Sequence, residues 1–159
     1  INIEKFKEAK DNFKKALTIL TGHKGAREGM ALAYNNEASK KRNIDTALPL
    51  YKKALEYNPN NEVIRNNLAG AYNGKAVDIL NSLSQYSYTI RRDIDTAIDL
   101  LEEGLGILNP AFKSLGKMGI MAATMIPDLN KVKGNEMLQT MLKNLQQAYE
   151  IRGKLTTRF

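Results

Sequence analysis

The chain has one histidine, His23, and no cysteine, which removes thiolate chemistry, disulfides and most metal-ligand sets at once. It contains no G-x-S-x-G, no phosphate-cradling G-x-x-x-x-G-K-[ST] and no H-E-x-x-H. His23 follows Gly22 in a predicted turn, where an exposed turn role is expected of it. Asp93, Asp95 and Asp99 fall near a predicted helix start, where acidic side chains complement the N-terminal dipole, so acid/base catalysis is not needed to explain them. The expectation is therefore no enzyme, no cofactor and no metal. The remaining candidates are cationic. Lys7, Lys10 and Lys14 share one helix face opposite Phe6, Phe13 and Leu17, the usual placement of a solvated stripe. Lys40-Lys41-Arg42 closes a helix, where cations suit the dipole. Arg27 and Arg65 occupy the same position in two copies of a repeat, which favours a structural role over anion binding.

The elements that carry these residues are helical. The chain of 159 residues is long enough for one sizeable core, its 15 Gly and Pro are scattered, and Leu, Ala, Lys, Asn and Glu recur throughout. Met118 to Pro127 is the most apolar run and falls well short of the roughly 20 residues a membrane span needs. No secretory signal is visible, and a cytoplasmic location is favoured. The net charge of +7 is uneven: residues 1–42 carry 10 basic and 5 acidic side chains, 43–110 carry 6 and 9, and 111–159 carry 8 and 3. A basic groove for nucleic acid would run along the whole chain, so this pattern speaks against one, while an acidic partner touching one end stays open.

An internal repeat sets the architecture. Phe6 to Leu17 (FKEAKDNFKKAL) overlays Ile44 to Leu55 (IDTALPLYKKAL) with an offset of 38, and Arg27 to Tyr34 (REGMALAY) overlays Arg65 to Tyr72 (RNNLAGAY) with the same offset. A third copy, IDTAIDLLEEGL from Ile94, lies 50 residues beyond the second. The twelve added residues fall between Tyr72 and Ile94, where Ala76, Ile79, Leu80 and Leu83 keep helical spacing, so they predict a helix lengthened by about three turns. Thr21-Gly22, Asn58-Pro59-Asn60-Asn61 and Asn109-Pro110 supply the stops. Beyond residue 111, Met118, Met121, Met125, Met137 and Met141 suit a capping helix pair, the alternative being a Met-lined groove that accepts an amphipathic helix or a second copy of the chain.

The order Leu-Ala-x-Ala-Tyr, x-Asp-x-Ala-Ile/Leu, Tyr-x-Lys-Ala-Leu and Asn-Pro-Asn-Asn resembles the tetratricopeptide repeat, most closely over residues 44–72 and more loosely over 4–110. The spacings of 38 and 50 depart from that family's 34. The resemblance implies an all-α fold over 1–159: antiparallel helix pairs stacked as a right-handed solenoid, with repeat elements near 3–20, 24–57 and 62–108 and a C-terminal cap near 111–154. It implies a protein-binding module that takes a peptide or helix on the concave face. An alternative is a scaffold that self-assembles through its repeat ends.

The family's inner-face positions fall here on Glu28, Leu32, Asn35, Asn66, Asn67, Gly70 and Asn73. A primary amide both donates and accepts, so a row of asparagines could satisfy the backbone of an extended peptide, and Gly70 would let that backbone approach. Asn67 matches the central Asn of the family's carboxylate clamp, and Lys113 with Lys117 approximates its basic pair. Glu28 and Leu32 stand where that clamp needs Lys and Asn, so the clamp is incomplete. The expected partner-binding set is Asn35, Asn66, Asn67, Gly70, Asn73, Lys113 and Lys117.

Overall fold

This computed structural model describes residues 3–83, 89–113 and 136–156. The described residues form six helices and no strand: α1 (Ile3–Ile19), α2 (Lys24–Ser39), α3 (Ile44–Tyr57), α4 (Glu62–Ser82), α5 (Ile90–Leu108) and α6 (Glu136–Thr156). Their boundaries follow from side chains that capture backbone groups otherwise left without partners. His23 Nδ1 accepts from Ala26 N–H at 3.1 Å and caps α2, Asn43 Oδ1 accepts from Asp45 N–H at 2.7 Å and caps α3, and Asn61 Oδ1 accepts from Ile64 N–H at 3.1 Å at the start of α4. Asn58 and Asn109 are the C-caps of α3 and α5, each followed by the expected proline.

The chain divides into two compact units, 1–68 and 69–159. In the first, α2 packs against both α1 and α3, and its buried residues include Ala26, Met30, Ala31, Ala54, Ile64 and Leu68. The connections on either side of α2 are short, so consecutive helices run antiparallel and α1 ends where α2 begins. Close approach of α1 and α2 depends on Gly29, because a methyl group there would clash with Cζ of the Phe13 ring. The exposed residues of α1 from Glu4 to Thr18 are all polar, and Ile19 at its end is exposed as well. In the second unit, α5 packs on α6 around Ile94, Ile98, Leu101, Leu105, Met141, Leu142 and Leu145.

Burial follows the sequence repeat. Ala26 and Ile64, Met30 and Leu68, Ala31 and Ala69, and Ala38 and Ala76 are 38 apart and all buried; Ala47 and Ala97, Leu48 and Ile98, and Tyr51 and Leu101 are 50 apart and all buried. The twelve added residues are not one long helical extension. The equivalents of α2 end at 77 and α4 continues to Ser82; the equivalents of α3 begin at 94 and α5 already begins at Ile90. Five added residues therefore lengthen α4 at its end, four lengthen α5 at its start, and three fall between the helices.

Candidate binding surface

Three of the four asparagines of the expected binding face, Asn35, Asn67 and Asn73, are hydrogen-bonded to asparagines of neighbouring helices. In the first unit Asn35, on α2, is only 6% exposed, and its Oδ1 accepts from Asn67 Nδ2 of α4 at 2.8 Å. Asn35 Nδ2 in turn donates to Asn36 Oδ1 at 3.3 Å. In the second unit Asn73 Oδ1 accepts from Asn144 Nδ2 of α6 at 2.7 Å. Asn35 and Asn73 are 38 apart, so one repeat position accepts an amide hydrogen bond from a neighbouring helix in both units. A buried amide with a partner avoids the cost of desolvating an unsatisfied polar group, which explains why Asn is tolerated in mid-helix here.

The other predicted residues are placed as follows. Asn66 is half-buried on α4. Gly70 is half-buried, with the Met137 methyl 3.2 Å from where its Cβ would stand. Leu32 lies 38 residues before Gly70, at the same repeat position, and is 50% exposed in the middle of α2. Glu28, one turn earlier, pairs loosely with Lys24 at 3.9 Å. Lys113 is exposed, with its aliphatic stem lying over Gly106. Lys117 and the methionines 118, 121 and 125 lie outside the described residues.

Arg27 donates from Nε to the carbonyl of Tyr57, the last residue of α3, at 3.4 Å. A cation there suits the C-terminal dipole, so Arg27 ties the two helices of one pair together. Beside it, Leu17, Thr21, Arg27, Glu56 and Tyr57 line an open cleft of about 290 Å³.

The likeness of α6 to α4 lies outside the repeat at offsets 38 and 50, and sequence reasoning missed it. Asn67-Leu68-Ala69-Gly70-Ala71-Tyr72 of α4 matches Asn144-Leu145-Gln146-Gln147-Ala148-Tyr149 of α6 at Asn, Leu, Ala and Tyr. The structure gives the pair parallel functions. Leu68 and Leu145 are buried, and both tyrosine hydroxyls reach glutamates of α5: Tyr72 donates to Glu103 Oε1, and Tyr149 donates to Glu102 Oε1 at 2.6 Å. Burial, the hydrogen bond to Glu102 and the charge of that carboxylate hold the Tyr149 hydroxyl well above the usual tyrosine range. Burial also raises that of Tyr51. Among the described residues, no group of three or more His, Cys, Asp or Glu could hold a metal ion, and no helix is long and apolar enough to cross a membrane.

No protein-family model matches the chain, and no curated protein or solved structure matches it.

Proposed function

We propose that the chain is a non-catalytic protein-interaction module, a tetratricopeptide-like helical repeat that takes a peptide or helix of a partner on the face of α2 that bears Leu32. One observation carries this reading. At the repeat position shared by Leu32 and Gly70, the second unit covers the glycine with Met137, whereas the first unit leaves a leucine half exposed. Leu32 shares its helix face with Asn35 and Asn36, at i+3 and i+4, so an apolar anchor sits beside amides already held in place by Asn67. A partner side chain laid over Leu32 would bury apolar area next to a fixed polar edge, the arrangement that binding sites use for affinity and orientation.

The test selects peptides from a random display library on the wild-type protein and measures the recovered peptides by fluorescence polarisation. Leu32→Lys is expected to weaken them about tenfold or more, the worth of burying one leucine, with helicity unchanged. Equal affinity for both proteins, or recovery of no peptide, would remove the reading.

A second reading, assembly with copies of the same chain, has one observation of its own. Ile19 and Leu20 are exposed at the end of α1, 88% and 57% respectively, in the chain segment between cleft residues Leu17 and Thr21. Sedimentation across a concentration series tests it: a concentration-dependent dimer abolished by Ile19→Lys with Leu20→Lys would support it, and a monomer throughout would exclude it.

A further inference from the structure

One repeat position carries a tyrosine three times, at 34, 72 and 149, and the surroundings of these three differ in sign. In the second unit both hydroxyls donate to carboxylates on α5, Tyr72 to Glu103 and Tyr149 to Glu102. The residues 50 positions earlier, on α3, are Lys53 and Lys52. Where Tyr72 has Glu103, its equivalent Tyr34 therefore has Lys53, whose ammonium lies over the Tyr34 ring, 5.7 Å from its centroid. Lys10 of α1 approaches the same ring at 4.7 Å, and Tyr57 stacks on it at 5.9 Å with an interplanar angle of 13°. An ammonium cannot accept a hydrogen bond, and Tyr34 has no hydroxyl partner among the described residues.

We propose that Tyr34 and Lys53 form a binding site for a carboxylate side chain of an acidic partner segment, which would occupy the place that Glu103 fills in the second unit. The proposal rests on the interaction-module reading and names the chemistry of one of its contacts. The hydroxyl of Tyr34 would donate to the incoming carboxylate, as Tyr72 donates to Glu103, and Lys53 would supply the opposite charge. Lys53 has no carboxylate partner among the described residues, and its exposed stem leaves the ammonium accessible. The remaining charges here are nearly spent on one another: Glu37 is held by Lys10 at 2.5 Å and by Lys41 at 3.8 Å. That Lys10–Glu37–Lys41 group keeps one positive charge in excess beside the ring, which adds to the attraction for an anion. The excess of basic residues in 1–42 favours the same class of partner at longer range. A carboxylate is favoured over a phosphate because the fold already seats one against the same tyrosine position twice.

The probe is a fluorescein-labelled, C-terminally amidated hexaglutamate, measured by fluorescence polarisation at low salt on the full chain. Lys53→Glu should abolish binding or weaken it at least tenfold, because it rebuilds the Tyr72–Glu103 pattern and fills the site from within. Lys15→Glu makes the same change of charge on an exposed position of α1 and should alter affinity by less than about threefold. Tyr34→Phe leaves the charge untouched and should weaken binding several-fold through loss of the hydroxyl donor. Equal effects of Lys53→Glu and Lys15→Glu, or no effect of Tyr34→Phe, would show mere attraction to a basic protein and overturn the site. A single-stranded DNA of matched charge that binds more tightly than hexaglutamate, with the same dependence on Tyr34, would overturn the carboxylate assignment in favour of phosphate. Leu32→Lys should leave hexaglutamate binding intact. If hexaglutamate fails while Leu32-dependent peptides still bind, the carboxylate site falls and the module reading stands.

Discussion

His23 Nδ1 accepts the N–H of Ala26 at the start of α2, so the single histidine of the chain works as a helix cap. An imidazole is a larger acceptor than the usual Ser, Thr, Asp or Asn, and it brings no negative charge to the dipole. His23→Asp should therefore stabilise the protein by about 0.5–1 kcal/mol, and His23→Ala should cost about 1 kcal/mol, read as shifts in urea midpoint at unchanged m-value. The sequence places His23 in an exposed turn, which is where it lies, but the lone-pair contact to Ala26 depends on backbone geometry that residue type does not reveal. The same holds for the asparagines. Their positions on the helices could be read, whereas the pairing of Asn35 with Asn67 and of Asn73 with Asn144 is a matter of partners, and partners come from tertiary packing. Tyr149 and Tyr51 give this scale its pH dependence. Both hydroxyls hold their proton above the ordinary value of 10.0, Tyr51 through burial and Tyr149 through burial and Glu102. Above about pH 10 the unfolded chain has released protons that the folded one still binds, so unfolding is favoured as pH rises through the folded-state values. Stability is fully present below pH 10 and falls above it. Tyr149→Phe should flatten that alkaline fall in a denaturation series, and an unchanged slope would contradict the assignment.

At the scale of elements, two helical glycines make opposite predictions although both sit at close contacts. Gly29 on α2 faces the ring of Phe13, and the ring can clear a new methyl only by moving as a body or by pushing α1 away. Gly29→Ala should therefore destabilise by about 1–3 kcal/mol despite the better helix propensity of alanine. Gly104 on α5 faces the terminal methyl of Met141, which swings on three rotatable bonds, and a Cβ added there would stand 3.3 Å from the Cβ of Tyr72, a contact that needs only a few tenths of an ångström of adjustment. There the propensity gain of up to about 1 kcal/mol largely offsets the crowding, and Gly104→Ala should lie within about 1 kcal/mol of wild type. Thermal unfolding of the two variants side by side checks the contrast, which disappears if both lose or both keep stability. The helix ends at Asn58-Pro59 and Asn109-Pro110 were legible because a proline after a periodic segment is local chemistry, whereas the caps Asn43 and Asn61 came only from the structure. Two further features were not legible. The added twelve residues keep apolar spacing across Ile79, Leu80 and Leu83, so periodicity alone reads one long helix and misses the break before α5. The kinship of α6 with α4 is diluted because Gln146 and Gln147 replace Ala69 and Gly70, and the offset of 77 is far from the 38 and 50 of the other copies.

For the molecule as a whole, α4 has a singular place, because residues 62–68 belong to the first compact unit and 69–82 to the second. Each unit on its own is small, and small units gain little from burial relative to the entropy of ordering the chain. In repeat proteins such units become cooperative when a neighbour shares structure with them, since stability is then a sum of intrinsic and coupling contributions. Here the residues of one helix, α4, fall on both sides of the boundary. A proline at the boundary should break that continuity, removing one backbone hydrogen bond and clashing with the preceding turn at a cost of about 3 kcal/mol or more. Gly70→Pro is accordingly expected to turn a single unfolding transition into two. The first unit can be followed by exchange of the Ala31 and Ala54 amides, the second by those of Leu101 and Leu145, all four residues being buried. Lys7→Pro in α1 provides the comparison: it breaks a helix that belongs to the first unit alone, so its direct cost falls on that unit and reaches the second only through α4. If wild type already unfolds in two separate steps, the two units are not coupled at all; if both prolines leave the protections of the two units falling together, their cooperativity comes from something other than the helix they share.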